Sequence, residues 1–439
     1  MTMASDTDAP TADEQPRSLS VWILQTGEPV PSDSGNPRPM RAMNLSNALV
    51  AAGHRVVLWS ASFNHVEKSH RVPMAQRIVM SQALEVRLIA SPGYRRNIGL
   101  GRLWDHAILA RNLARALRDE VRGPDVAFVG FPPIETAAVM VRWLGSRSIP
   151  CMVDVKDQWP VIFVNALPRR LHRLARWALA PYFFYARRAM REATALSAMA
   201  QGFLDWARDF SARPASKLDR VVPLTMQTGQ ISALELEQAG LWWDKHGVRE
   251  DGTPRVLFVG SHSTAFDMGP VQQAARALVR AGTACQFVVC GSGPALADWQ
   301  AGFVGLGNVV FPGWVDRAKI EVLARRSFAA LAPYRNSPDF MMSIPNKVID
   351  ALALGLPILS PLRGEVEQLI ATYRVGMVYG TSPANSLHDC VVQLMKAPEL
   401  QAEMSENARR LHGQKFSFET VYGGLVGALE QLAVTGRRT

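Results

Sequence analysis

Between positions 343 and 357 the chain reads Ser-Ile-Pro-Asn-Lys-Val-Ile-Asp-Ala-Leu-Ala-Leu-Gly-Leu-Pro. This is a helix with its start and stop signals written in. Ser343 reads as the N-cap, Pro345 as an early helical position, and Gly355-x-Pro357 as the stop. Lys347 then falls in the first turn, where a cation opposes the positive end of the helix dipole and acids are the usual choice. A helix start that presents backbone amides together with an ammonium suits a polyanion, and pyrophosphate is the natural occupant. Asp350 lies about one turn beyond Asn346. It either accepts hydrogen bonds from ribose hydroxyls or caps a neighbouring group.

Other candidates follow short apolar runs. Gly260-Ser261-His262-Ser263 and Gly291-Ser292-Gly293-Pro294 are glycine loops that let backbone N–H groups approach phosphate oxygens. Neither fits GxGxxG or the Walker pattern, which disfavours dinucleotide oxidoreduction and P-loop hydrolysis. Trp314, in Pro-Gly-Trp-Val-Asp, either stacks on a base or fills a core. In the first half, Gly35-Asn36-Pro37-Arg38-Pro39-Met40-Arg41 is a Gly/Pro loop entering a helix, and its two arginines suit an anionic ligand. Asp154, Lys156 and Asp157 crowd another strand end, before Gln158-Trp159-Pro160, and Phe63-Asn64-His65 brings one imidazole within reach of the same cleft. There is no HExxH, no GxSxG elbow and no metal-spaced Cys/His set, and the sole Asp-x-Asp lies at Asp6 and Asp8. No metal and no cofactor are expected.

These residues need elements to hold them. In the first half, apolar runs at 20–25, 55–59, 84–89, 126–129, 152–155 and 195–197 read as strands, alternating with helical periodicity at 40–52, 103–121, 134–146, 168–192 and 199–210. An acidic helix with Trp242 and Trp243 interrupts the pattern. A second series follows, with strands at 255–259, 286–290, 309–311, 329–332 and 357–360 and helices between them. The alternation predicts an α/β protein of two Rossmann-like, doubly wound domains facing across a cleft, with ligands at the carboxyl ends of the strands. The expected bounds are a tail at 1–17, a first domain at 18–225, a linker helix at 226–252, a second domain at 253–415, and a helix at 416–439 that returns to the first domain.

Size and composition agree. A chain of 439 residues exceeds one ordinary core. Its 48% apolar and 20% charged residues exclude collagen-like, coiled-coil and disordered classes. The excess charge is lopsided: 29 Lys and Arg against 19 Asp and Glu through Leu224, then 19 against 19. One half therefore faces something anionic. Residues 167–191 hold seven arginines around a Trp/Tyr/Phe-rich middle, without an acid. This reads as an interfacial membrane element, a nucleic-acid patch, or a half-buried helix with a solvated arginine face; no RNA- or DNA-binding signature accompanies it. No apolar run is long enough to span a bilayer, and the polar start reads as a tail rather than a signal peptide. Four cysteines without metal or redox spacing fit a reducing cytoplasm.

From Val21 to Leu432 the chain resembles the GT-B glycosyltransferases of family 4, particularly the branch making capsular and other surface polysaccharides. The likeness rests on Gly35-Asn36…Arg41, Asp154-Val-Lys-Asp157-Gln-Trp-Pro160, Gly291-Ser-Gly293 and Ile344-Pro-Asn-Lys347…Asp350…Gly355-x-Pro357. It implies a nucleotide-sugar donor in the second domain, an acceptor in the first, retention of anomeric configuration and no divalent metal. The family's paired acids, eight apart, fall on Met342 and Asp350, and its Arg and Lys fall near Ser261 and Asp267. Neutralising the diphosphate is thus left to Lys347, backbone amides and arginines of the other domain.

The expected activity is sugar transfer from a nucleotide-sugar to a saccharide acceptor, expected to be lipid-linked, at the cytoplasmic face of a membrane. Lys347 stabilises the leaving diphosphate, Asp350 holds the ribose and Trp314 the base. Asp157 with His65 orients or deprotonates the acceptor hydroxyl. The remaining donor contacts are Gly260, Ser261, His262, Gly291, Gly293, Pro345 and Asn346; those of the acceptor loop are Gly35, Asn36, Arg38, Arg41 and Asp154. Alternatives are a nucleotide-sugar 2-epimerase of the same fold and a non-catalytic membrane or nucleic-acid adaptor. The membrane contact is expected through 167–191, and no nucleic acid is expected.

Overall fold

A computed structural model describes residues 18–33, 39–96, 99–225, 230–380 and 385–436. Its first sheet has eight strands in the spatial order Arg220–Val221, Ala195–Ala198, Cys151–Val155, Val126–Phe131, Ser20–Leu24, Arg55–Ala61, Leu84–Ile89 and Gln76–Val79. All pairings are parallel except the last, which is antiparallel. Val126–Phe131 and Cys151–Val155 are buried throughout, because helices cover both faces, and they read as continuous apolar runs for that reason.

The second sheet has six parallel strands: Val309–Gly313, Gln286–Cys290, Arg255–Val259, Ala329–Leu331, Ile358–Ser360 and Gly376–Val378. Each sheet reverses its winding once. The switch lies between Ser20–Leu24 and Val126–Phe131 in the first, and between Arg255–Val259 and Ala329–Leu331 in the second. At such a point the following loops diverge and leave a crevice.

The last helix, Phe418–Thr435, crosses back onto the first lobe. Val421, Tyr422, Leu425, Leu429 and Leu432 join Val21, Leu45, Leu49 and Val126 in one core. The two inter-lobe crossings meet where Thr225 Oγ1 donates to the Phe416 carbonyl at 2.7 Å.

Some elements depart from the sequence pattern. The expected single helix over 168–192 is broken into a 3-10 turn at Arg169–Leu171 and helices His172–Ala178 and Ala180–Glu192. Pro181 causes the second break, since it has no N–H to continue the preceding turn and is tolerated only in a first turn. Gln76–Val79 escapes pattern reading because it is an edge strand with only Ile78 half-buried and the rest exposed. All four cysteines are buried and free, and burial pushes the Cys285 and Cys290 thiols up to about 12.

Truncating Leu429, which is fully buried under the first sheet, to Ala is expected to lower stability by roughly 2–5 kcal/mol. Leu241→Ala, at a residue 58% exposed, should stay within about 0.5 kcal/mol. Urea denaturation followed by tryptophan fluorescence measures both.

Candidate active site

The donor-side crevice is built around Lys347. The helix Asn346–Ala353 starts from Pro345, whose backbone is extended, and no side chain caps it. Ser343 is not the cap: its hydroxyl donates back to the Phe340 carbonyl at 3.4 Å. Lys347 extends to the carboxyl end of Arg255–Val259, where its ammonium donates to the Val259 carbonyl. It lies 4.6 Å from the Phe258 ring centre and 5.2 Å from that of Phe266. Burial pushes its pKa down to about 8, with Asp350 opposing the shift.

The glycine loops make room for this cation. Gly260 has φ 155° and lies so close to Lys347 that an added Cβ would stand 1.6 Å from Nζ. Gly291, at φ 126°, would place a Cβ 1.9 Å from the Gly260 carbonyl oxygen. The two loops therefore stack, joined by His262 N–H donating to the Ser292 carbonyl at 2.8 Å. Ser261, Ser292, Gly293, Asn346 and Asp350 are exposed around the crevice. Trp314 is 72% exposed just beyond Val309–Gly313, so it is a surface ring and not a core residue.

His262 requires a correction. Its side chain is fully buried, 4.5 Å from the Trp299 ring and edge-on to Phe311, so only its backbone belongs to the loop that faces a ligand. Pro345 is buried as well and contributes only the turn.

Arg335 was not legible as a site residue. It follows Ala329–Leu331, on the other side of the switch point, yet its Nε donates to the Thr264 carbonyl at 3.1 Å and its guanidinium stands 4.0 Å from Asp267. A second cation thus reaches the loop that carries neither Arg nor Lys of its own at Ser261 and Asp267. Only the fold brings these two loops together.

On the acceptor side, His65 and Asp157 share a 270 Å³ cavity with Glu28, Tyr94, Arg102, His106 and Lys156. It opens at the switch point of the first sheet, over Gln25 and Pro132. Asp157 accepts from Trp159 Nε1 at 3.1 Å and from the Gln158 backbone at 2.8 Å. Burial, and then Asp339 of the second lobe, raise its pKa. His65 Nδ1 faces the Tyr94 hydroxyl and, at 3.3 Å, the Lys68 ammonium. The ammonium can only donate, so Nδ1 accepts, the Tyr94 hydroxyl donates to it as well, and the imidazole proton is assigned to Nε2. Burial with the Lys68 and Arg102 charges pushes its pKa down to about 4, so His65 suits orienting a hydroxyl as a donor better than taking its proton. His106, buried beside Trp159, is pushed down to about 3 by burial and the Arg102 charge.

Arg41 and Asp154 also require a correction. Both are buried and pair with each other at 3.3 Å; Arg41 further donates to the Val222 carbonyl at 2.6 Å, and Asp154 accepts from Ser197 at 2.8 Å. This ion pair ties the first helix to the sheet and does not reach the cavity. Glu28 lines the cavity instead, although buried: it accepts from Lys156, and from the Ala42 N–H at 2.8 Å, which caps that helix. Gly35, Asn36 and Arg38 lie outside the described residues.

The lobes touch beside the cavity. Gly202 N–H donates to Glu365 at 2.8 Å. With its amide oriented to satisfy both ends, Gln158 donates to Asp339 at 3.2 Å and accepts from Trp206 Nε1 at 3.2 Å. Met342, where a family acid would fall, packs against the first-lobe core. Asp339 is the nearby acid, and burial raises its pKa. Among the described residues no group of three His, Cys, Asp or Glu is placed to hold a metal ion.

Two Rossmann-like lobes, with a cationic crevice on one and a polar cavity on the other, define a GT-B transferase. Residues 40–224 match the Glycosyl transferase 4-like domain, and residues 253–397 match Glycosyl transferases group 1. With these two matches over its lobes the chain is a glycosyltransferase, which sets aside the epimerase and adaptor alternatives. An alpha-D-kanosaminyltransferase of Streptomyces kanamyceticus is 25% identical over 308 residues, covering 68% of this chain and 75% of that protein. Sucrose-phosphate synthase of Thermosynechococcus elongatus shares the fold with a TM-score of 0.66 at 15% identity, over 95% of this chain and 100% of that one. Anabaena HepE in complex with UDP gives 0.61 at 14% identity, over 94% and 99%.

Because Lys347 loses its proton as pH rises through about 8, affinity for a nucleoside diphosphate is expected to fall across that range, and Lys347→Met should flatten the profile. Gly260→Ala, which displaces the ammonium, should weaken binding at neutral pH about as much as Lys347→Met does. Titration calorimetry at several pH values reads both.

Proposed function

We propose that this glycosyltransferase moves a sugar from a nucleotide-sugar to a saccharide acceptor, with the donor in the second-lobe crevice and the acceptor in the first-lobe cavity. The observation that carries the reading is the Lys347 ammonium held beneath Gly260 at the switch point. A cation there, with the amides of an uncapped helix, stabilises charge that develops on the diphosphate as its bond to the anomeric carbon breaks. Arg335 adds a second positive charge beside the same loop. Asp350 holds the ribose, and the exposed Trp314 ring offers the base a stacking surface. HepE, a structural neighbour, is in complex with UDP, which supports a nucleotide donor.

The acceptor hydroxyl enters between Asp157 and the Nε2–H of His65; its oxygen bonds to the anomeric carbon as the bond to the diphosphate breaks, and its proton passes to the Asp157 carboxylate. Closing the lobes aligns both substrates and excludes water. We further assign a lipid-linked acceptor in surface-polysaccharide synthesis, retention of configuration, metal-independent turnover, and work at the inner face of the plasma membrane.

Lys347→Ala is expected to reduce kcat at least a hundredfold, on the scale of losing a group aimed at developing charge (roughly 10²–10³), with the melting temperature little changed. Near-wild-type turnover would remove Lys347 from the mechanism. Arg335→Ala should raise the dissociation constant for a nucleoside diphosphate but not for the bare nucleoside. A nucleotide-sugar panel assayed with and without EDTA, with NMR of the product anomer, tests donor, metal independence and retention together.

A further inference from the structure

The arginine-rich segment 167–191 takes no part in the transfer chemistry, and its packing is unusual. The turn Arg169–Leu171 and the helix His172–Ala178 bury none of their residues. Only the helix Ala180–Glu192 is anchored, through Ala186, Ala189 and Met190. Large apolar side chains are left in water: Leu174 is 62% exposed, Trp177 77% and Phe184 58%. A seven-residue helix with no buried face has little to hold it, since isolated helices below ~12 residues are marginal in water. Such a cluster marks a surface made for a partner.

The charges say which partner. All seven arginines of the segment are exposed. Arg176, Arg187, Arg188 and Arg191 line a 670 Å³ groove with Phe183 and Phe184. Its one acid, Glu192, is held by Arg188 at 2.6 Å. Arg187 is braced over the Phe210 ring at 5.1 Å, and Arg191 donates to the Ser211 carbonyl at 3.0 Å. Fixed guanidinium groups beside exposed Leu and Trp combine phosphate recognition with an apolar edge. A nucleic acid would satisfy the arginines but leave Leu174 and Trp177 in water. Among the described residues no helix is long and apolar enough to cross a membrane.

We propose that residues 167–191 dock the first lobe onto an anionic bilayer, with headgroup phosphates in the arginine groove and Leu174 and Trp177 among the headgroups. This rests on the proposed function in one respect, that docking brings the acceptor cavity to a lipid-linked substrate. The test is flotation of the full chain with vesicles of phosphatidylcholine alone or mixed with phosphatidylglycerol. Binding is expected only to the anionic vesicles, weakening with salt. Arg176→Glu with Arg188→Glu should reduce it roughly tenfold or more, and Leu174→Ser with Trp177→Ser should weaken it on the same vesicles. Equal flotation with neutral lipid, or undiminished flotation of either variant, overturns the proposal. So does release by duplex RNA or soluble glycerol phosphate at concentrations equivalent in phosphate to the vesicles. Nucleoside diphosphate binding by each variant shows that the fold is intact. If that binding holds while flotation fails, the docking surface alone falls; if flotation holds while no nucleotide-sugar is turned over, the transfer reading alone falls.

Discussion

One half-buried ammonium organises the second lobe. Lys347 sits where a helix dipole disfavours it and where water is partly excluded, two penalties for a positive charge. The Val259 carbonyl and the faces of Phe258 and Phe266 offset part of that cost. Their arrangement in turn requires a residue without a side chain at Gly260, a second at Gly291 stacked on it, and the His262–Trp299 contact as a floor. The compensation is incomplete, as the lowered pKa records. An incoming diphosphate completes it, so binding and the poise for catalysis have the same electrostatic origin.

The first lobe is organised differently. It hides much of its polarity in pairs: Arg41 with Asp154, and Arg71 with Asp33 at 2.6 Å. These hold loops in place, while in the cavity burial and nearby cations keep His65 and His106 both uncharged at pH 7. The excess positive charge of this half is therefore not concentrated at the acceptor cavity. Its densest exposed run is the broken helix between 167 and 191.

Features that depend on neighbours in sequence were the legible ones. The strand–loop–helix rhythm, Lys347 and the glycines of both donor loops all follow from local spacing, whereas the helix start falls at Pro345 and not at the expected Ser343. Roles that depend on contacts between distant segments were not. Arg41 and Asp154 read as ligand groups because each flanks a polar loop, whereas the long stretch of chain between them folds to bury them against each other. Arg335 gains meaning only beside Asp267 and Thr264, and Asp339 only beside Asp157, since neither has a motif of its own. His262 was misplaced for the opposite reason: its loop does face the crevice, but its own side chain turns inward onto Trp299.

The bond between Thr225 and Phe416 carries a mechanical consequence. Both covalent routes between the lobes pass this stitch, so a rotation about it would move nearby atoms least and the far rim most. The contact of Gly202 with Glu365 joins the lobes a second time and would have to adjust in such a rotation. Such a turn leaves the stitch intact, whereas sliding of one lobe over the other would break it.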